Sequence, residues 1–195
     1  MTTPAPLSTT EPLTTPAVTV TAPLTTLYTE IASPLGPLLV TGRPSATAPG
    51  GTAVASLSVP GQKNAPVPAP HWQRDHAAFA EAERQLTAYF AGEAERFGLE
   101  FAVEGTEFRR RVWDALDTVP YGATTTYGEI AARIGASRAA VRAVGGAIGA
   151  NPLLVLRPCH RVIGADGSLT GYAGGLDRKR VLLALEGVTD PAPAG

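Results

Sequence analysis

Cysteine is almost absent from this chain of 195 residues, which contains a single one, Cys159. One cysteine excludes an internal disulfide, and it excludes a zinc site built from several thiolates. Long apolar runs are lacking as well, since no segment reaches the roughly 18 consecutive apolar residues of a membrane-spanning helix. The N-terminus has no basic start followed by an apolar stretch, so no secretory signal is expected.

Charge is scarce too, because Asp, Glu, Lys and Arg make up 17% of the residues and the net charge is −1. This balance argues against attraction of the whole chain to nucleic acid but leaves local patches open. Residues 1–105 hold five basic and nine acidic side chains, whereas residues 106–186 hold eleven basic and seven acidic ones. Ten of those eleven are arginine, which suits forked phosphate contacts, although a +4 region also fits an ordinary solvated surface.

Glycine and proline are abundant, at 21 and 18 residues. Residues 1–25 are mostly Thr, Pro and Ala, and this composition predicts a disordered leader. Short apolar runs bounded by turn residues predict strands at 27–32, 37–41 and 53–59. Apolar residues at helical spacing then predict an amphipathic helix over 75–91.

Helical spacing continues in the second half and predicts a helix over 106–118, with Thr106 as its N-cap. Two further stretches, 126–134 and 138–148, predict a helix-turn-helix. The second of these is rich in small residues and carries Arg138 and Arg142 one turn apart. It is either a hairpin packed into a core or an exposed helix that binds another surface, and the arginines favour exposure.

The lone cysteine follows a short apolar run, 153–156, which predicts a buried strand or extended segment. A single cysteine is commonly a small buried hydrophobe. The adjacent His160 and Arg161 are, however, groups that lower a thiol pKa and generate the nucleophilic thiolate. Neighbouring side chains diverge, so His160 reaches Cys159 only through a bend or a water. Glu186, at the end of a helix predicted over 177–186, either orients His160 or lies in solvent.

The sequence Pro158-Cys159-His160-Arg161-Val162 resembles the active-site signature of the O6-alkylguanine-DNA alkyltransferases, also called methylated-DNA–protein-cysteine methyltransferases. Further motifs stand in the order and spacing of that family, at residues 121–122, 126–129, 142–147, 151–152 and 171–176. The resemblance is strong over residues 106–187 and weaker over residues 27–103.

The resemblance implies an α+β fold with two domains. Residues 26–103 would form an α/β domain resembling ribonuclease H, and residues 104–188 a helical domain with a winged helix-turn-helix, followed by a tail at 189–195. It also implies a cytoplasmic protein, associated with the nucleoid when bound to DNA. The expected partner is double-stranded DNA containing O6-alkylguanine, contacted from the minor groove by a monomer or a cooperative assembly. No membrane, metal or cofactor is expected.

The implied reaction is direct-reversal DNA repair. An alkyl group on O6-alkylguanine, and also on O4-alkylthymine, moves irreversibly to Cys159 after the damaged nucleotide has flipped out of the duplex. His160 would act as the base through a water, Glu186 would orient His160, and Asn151 would support the site. The substrate-binding positions are Tyr172, Val162, Ala173 and Ile148. The DNA-binding positions are Arg142, which would enter the base stack, Tyr127, which would rotate the nucleotide, and Arg138, Ala139, Ala140, Ala143 and Arg161.

Three positions depart from the family pattern. Arg157 replaces a usual aliphatic residue, Ala173 stands where some members have Ser, and Ala150 stands where Arg is common. Two other functions compete with repair. A Cys-His-Glu hydrolase would turn over, but it leaves Arg142 and the small-residue helix unexplained. A DNA-binding module similar to alkyltransferase-like proteins would lack the nucleophile, whereas Cys159 is present.

Overall fold

The computed structural model describes residues 25–188. The predictions of a disordered leader, apart from its last residue, and of a tail at 189–195 lie outside this range. The described chain combines a mixed β-sheet with α-helices, and the expected α+β class is confirmed. None of its helices is both long and apolar enough to cross a membrane.

A four-stranded sheet forms most of the first half. Strands β1 (Leu27–Ile31), β2 (Leu38–Pro44) and β3 (Thr52–Ser58) are antiparallel neighbours, and the short β4 (Gln73–Arg74) pairs in parallel with β1. The order across the sheet is β3-β2-β1-β4. The three predicted strands are therefore confirmed, although β2 runs further than expected. Helix α1 (Ala80–Phe90) follows a short 3₁₀ turn at Ala77–Phe79, which replaces the predicted first turn.

The second half is helical. Helix α2 (Glu107–Asp117) starts at the predicted N-cap, where the Thr106 hydroxyl accepts from the Arg109 N–H at 3.3 Å. Strand β5 (Thr125–Thr126) leads into α3 (Tyr127–Arg133), which begins with a capping box of Thr126 and Glu129. A 3₁₀ turn at Arg138–Ala140 then leads into α4 (Val141–Gly149), and α5 (Leu176–Leu185) is the last helix of the described chain.

The predicted helix-turn-helix is formed by α3 and α4, which pack against each other and against α2. The expected helix start at Arg138 is corrected to Val141, because residues 138–140 adopt the tighter 3₁₀ turn. Strand β6 (Val162–Ile163) follows the cysteine and pairs in parallel with β5. This pairing fixes the residues after Cys159 to the start of the helix-turn-helix.

One buried apolar cluster contains side chains from both halves of the chain. The edge strand β3 also binds the segment before the cysteine, since the Leu57 N–H donates to Pro152 O at 2.9 Å and the Leu154 N–H donates to Leu57 O at 3.1 Å. Residues 153–156 are buried as expected but do not continue as a strand. The backbone turns at Val155, whose φ is +68°.

Candidate active site

Two consecutive tight turns present the cysteine. The first is centred on Val155 and is closed by the Leu156 N–H donating to Leu154 O at 2.8 Å. A positive φ is a strained conformation for a β-branched residue. The second is centred on Pro158, with φ −80° and ψ 53°, and the Cys159 N–H donates to Arg157 O at 2.8 Å. Cys159 then begins a 3₁₀ turn, Cys159–Arg161.

Asn151 holds these turns together. Its side-chain oxygen accepts from the Leu153 N–H at 3.0 Å. Its Nδ2 atom lies 3.2 Å from each of three acceptors, namely Leu153 O, Arg157 O and Cys159 Sγ. An amide NH₂ has two hydrogens, so the sulfur shares them with the carbonyls. Asn151 is buried, so these hydrogen bonds lie inside the protein, next to the cysteine.

The Cys159 thiol is 3% exposed. Burial raises its pKa to about 11, while the Asn151 hydrogen bond and the positive charge of Lys179 act in the opposite direction. The surroundings therefore hold the sulfur as a neutral thiol at neutral pH, contrary to the lowered pKa that His160 and Arg161 suggested. A base is needed to generate the thiolate.

His160 and Glu186 form a buried pair that can supply this base. His160 Nε2 lies 2.8 Å from Glu186 Oε1, and both side chains are fully inaccessible. Burial alone would raise the pKa of Glu186, but hydrogen bonds from His160 and Arg161 lower it to about 2. A carboxylate can only accept, so Nε2 carries a proton and Nδ1 keeps its lone pair. Burial lowers the pKa of His160, which favours this neutral form.

The sequence left two alternatives for Glu186, namely pairing with His160 or exposure to solvent, and the structure decides between them. Glu186 is 4% exposed and pairs with His160 rather than with solvent. Among residues 25–188, no group bonds to His160 Nδ1 or to the hydroxyl of Tyr172, although both atoms are buried. Because buried polar atoms are normally paired, these two are available to a bound water or substrate.

A cavity of about 270 Å³ opens onto the cysteine. Its walls come from the helix-turn-helix, from the segment before α5 and from a loop after β3. The lining residues are Lys63, Asn64, Tyr127, Gly145, Ile148, Gly149, Cys159, Gly171, Tyr172 and Ala173. Four expected positions, Tyr127, Ile148, Tyr172 and Ala173, are thus brought together at the nucleophile. Val162 is buried and does not line this cavity.

Helix α4 presents its small residues to the outside. Arg142, Ala143 and Gly146 are exposed, whereas Val144, Ala147 and Ile148 are buried. Arg138 and Ala139, in the preceding turn, are exposed as well, and Ala140 is half-buried. The exposed alternative for this helix is therefore the observed one.

Comparison with known proteins decides the family. Residues 107–188 match the family model of the 6-O-methylguanine DNA methyltransferase DNA-binding domain. The methylated-DNA–protein-cysteine methyltransferase of Mycobacterium tuberculosis is 51% identical over 162 residues, which are 83% of this chain and 93% of that protein. The protein of the same name from Methanosarcina acetivorans is 50% identical over 155 residues, 80% of this chain and 94% of its own. The chain belongs to the methylated-DNA–protein-cysteine methyltransferase family.

Solved structures agree with this membership. The crystal structure of Mycobacterium tuberculosis O6-methylguanine methyltransferase matches with a TM-score of 0.72 and 48% identity, covering 87% of this chain and 96% of the other. The structure of the mycobacterial protein in complex with DNA matches with the same TM-score and identity, over 86% and 96% of the two chains.

The side chain of Arg161 is buried in this methyltransferase, although it was expected at the surface that contacts DNA. Its guanidinium is 7% exposed and donates to both oxygens of Glu186, at 2.8 and 2.9 Å, and to Val119 O at 2.5 Å. The expected contact with DNA does not fit this position, because the side chain points inward. Arg161 instead keeps Glu186 ionised.

Two further residues of the site were missed from the sequence. Tyr89, on α1, donates its hydroxyl proton to Glu186 Oε1 at 2.6 Å. Lys179, on α5, is fully buried and donates to the carbonyl groups of Val162, Thr170 and Gly171. These bonds connect the strand after Cys159 with the wall of the cavity. Nothing in the local sequence around either residue signals such a contact.

Arg157, the departure before Pro158, is buried and anchored. Its Nε and Nη2 atoms donate to the Asp117 carboxylate at 3.0 Å, and its guanidinium carbon lies 5.4 Å from the centre of the Trp113 ring. Trp113 in turn donates to Ala147 O of α4 at 2.9 Å. The arginine therefore connects the turn before Cys159 to α2.

Proposed function

We propose that this chain repairs DNA by transferring the alkyl group of O6-alkylguanine to Cys159. The observation that carries the proposal is the only cysteine at the end of a cavity, bonded by Asn151 and followed by the buried His160–Glu186 pair. In the reaction Sγ forms a bond to the alkyl carbon, the bond from that carbon to O6 breaks, and its electron pair stays on O6, so that after protonation an unmodified guanine remains in the DNA. The thioether product is stable in water, so each molecule acts once.

Proton transfer follows from the arrangement of the pair. His160 Nδ1 takes the proton of the Cys159 thiol through a bridging water, and the Glu186 carboxylate stabilises the imidazolium that forms. The same relay returns a proton to the guanine, which balances the reaction without a metal or cofactor. Tyr172 and the backbone of Cys159 would contact the guanine edge, with Ile148 and Ala173 beside the alkyl group, whereas Val162 lies behind the cavity wall and has no such contact.

A duplex shields O6 from in-line attack, so the damaged nucleotide must leave the stack. We propose that α4 lies in the minor groove, where its small exposed side chains permit close approach. Arg142 enters the stack in place of the guanine, and Tyr127 pushes the backbone to rotate the nucleotide. Arg138, Ala139, Ala140 and Ala143 contact phosphates and groove walls with little base selectivity, which suits a lesion found in any sequence.

The same proposal extends to architecture and setting. The sheet with α1 corresponds to a ribonuclease-H-like domain over residues 26–103, and β5, α3, α4 and β6 to a winged helix-turn-helix within residues 104–188. The protein acts on O4-alkylthymine as well as O6-alkylguanine. It works in the cytoplasm on the nucleoid, either as a monomer or as a cooperative assembly on DNA.

Replacing the nucleophile tests the reaction. The variant Cys159→Ala should bind a duplex containing O6-methylguanine like the unchanged protein, because Cys159 contributes little to the DNA-facing surface. It should transfer no methyl group, measured as label moving from DNA to protein. Retained transfer would refute the assignment of Cys159, and loss of binding would show that the cavity itself had collapsed.

The role of Arg142 is tested by comparing two substrates. Because the free base needs no flipping, Arg142→Ala should slow transfer from duplex DNA by about tenfold or more, a barrier of roughly 1.4 kcal/mol, and leave transfer from free O6-methylguanine unchanged. Exposed Arg180 on α5 is the matched control, and Arg180→Ala should affect neither rate. Equal losses on both substrates would count against intercalation.

A further inference from the structure

The loop after β3 reaches the cavity of Cys159. Lys63 and Asn64 both line this cavity, although they belong to the half of the chain that carries the sheet. The loop is closed locally, since the Val59 N–H donates to the Gln62 side chain and the Ala65 N–H donates to Gln62 O, both at 3.2 Å. Lys63 and Asn64 are exposed at the mouth of the cavity.

The loop is also fixed to the opposite half of the chain. Val59 is buried, and its side chain lies so close to Gly174 that a Cβ there would be 3.0 Å from a Val59 methyl carbon. Arg178 donates to Leu35 O and to Gly174 O, each at 2.9 Å, and so joins the β1–β2 turn to the same segment. Val59, four residues before Lys63, is thus anchored against the segment that forms the opposite wall of the cavity.

No ion pair among the described residues neutralises the positive charge of Lys63. Within residues 25–188 Lys63 is the only charged side chain that lines the cavity, and none of the ion pairs in this range includes it. No acidic residue occurs between Glu30 and Asp75. An ammonium group at the mouth of such a cavity attracts an anion.

We propose that Lys63 binds a DNA phosphate that flanks the flipped nucleotide, so that the sheet-bearing half supplies part of the DNA site. This inference rests on the proposed function. A nucleotide drawn into the cavity remains joined to the strand by a phosphodiester on each side, and these anions stay at the mouth. Asn64 lies beside Lys63 and offers an amide donor to the same phosphate.

Salt-dependent binding tests the contact. The logarithm of the binding constant for an O6-methylguanine duplex falls linearly with the logarithm of salt concentration, by about 0.9 for each neutralised phosphate. Lys63→Ala should lower this slope by about 0.9 and weaken binding about fivefold at 0.15 M salt. Lys63→Arg should restore both values, and Arg74→Ala, an exposed cation on β4 away from the cavity, should change neither.

Transfer from free O6-methylguanine separates this contact from other roles. The free base has no phosphate, so Lys63→Ala should leave its rate unchanged while the duplex rate falls. An unchanged salt slope, or an equal loss on both substrates, would overturn the phosphate contact. If even the unchanged protein transferred no methyl group, the proposed function would fail, while the binding slope would still decide the role of Lys63.

Chemical protection gives an independent measurement. The chain has two lysines, Lys63 and the buried Lys179, so acetylation of the folded Cys159→Ala variant reports mainly on Lys63. The O6-methylguanine duplex should slow acetylation of Lys63, as quantified by peptide mass spectrometry, while the N-terminal amine serves as the internal reference. Equal acetylation of Lys63 with and without DNA would contradict the proposal.

Discussion

At the scale of single residues, the resting state of Cys159 is controlled by opposing effects. Burial raises the pKa of the thiol to about 11, against the Asn151 hydrogen bond and the charge of Lys179. Cys159 is therefore a neutral thiol at neutral pH, and under the proposed mechanism His160 removes its proton. A neutral thiol reacts more slowly than a thiolate with alkylating agents and oxidants other than the substrate. This protection matters for a residue that can be used only once.

The titration of Cys159 follows from this pKa. Alkylation of the protein by iodoacetamide should be slow at pH 7 and should increase about tenfold per pH unit up to pH 10 without levelling off. Because the chain has one cysteine, the rate reports on Cys159 alone. Asn151→Ala removes a hydrogen bond that favours the thiolate, so its rate should be lower at every pH. A plateau below pH 8.5 would show that the folded protein holds a thiolate instead.

Among the secondary-structure elements, α4 contains a glycine that makes helix formation less favourable, and packing within the protein does not explain it. Gly146 lies inside the helix, where glycine is less favourable than alanine by roughly 1 kcal/mol. A Cβ added to Gly146 would meet nothing within 4 Å, so no neighbour within the described chain demands a glycine there. The small exposed face is consistent with selection for contact with an outside surface.

Widening that face tests its role. Ala143→Leu should weaken duplex binding by about tenfold or more, because the larger side chain keeps α4 out of a narrow groove. Its melting temperature and its transfer rate from free O6-methylguanine should stay close to those of the unchanged protein, since Ala143 is exposed. Ala184→Leu, an equal change at an exposed position of α5, should leave duplex binding intact. Normal duplex binding by Ala143→Leu would remove α4 from the DNA interface.

At the scale of the whole molecule, the two halves of the chain build one site. The uneven charge along the sequence indicated an acidic first half and a basic second half that faces DNA. The structure adds two contributions from the front half, the Tyr89 hydroxyl on Glu186 and the Lys63 side chain at the cavity. The core is likewise continuous between the halves.

The sequence predicted what depends on local pattern. Helical periodicity located α2 to within a residue at each end, and the motif around Cys159 indicated the nucleophile. The pairing of His160 with Glu186 was implied only by the family resemblance, and the two side chains lie 2.8 Å apart. The sequence could not reveal contacts between distant residues, such as that of Tyr89 with Glu186, because no periodicity links positions that are 97 residues apart. The resemblance placed Arg161 at the DNA, whereas its side chain lies inside the protein and donates to the ionised Glu186.

The central claim is that Cys159 is consumed by a single transfer. Its most direct test is intact-protein mass spectrometry and peptide mapping after incubation with an excess of duplex DNA carrying labelled O6-methylguanine. We expect one methyl group per chain, located on Cys159, with no further transfer when fresh DNA is added. More than one equivalent of guanine repaired per chain, or label on any other residue, would contradict it.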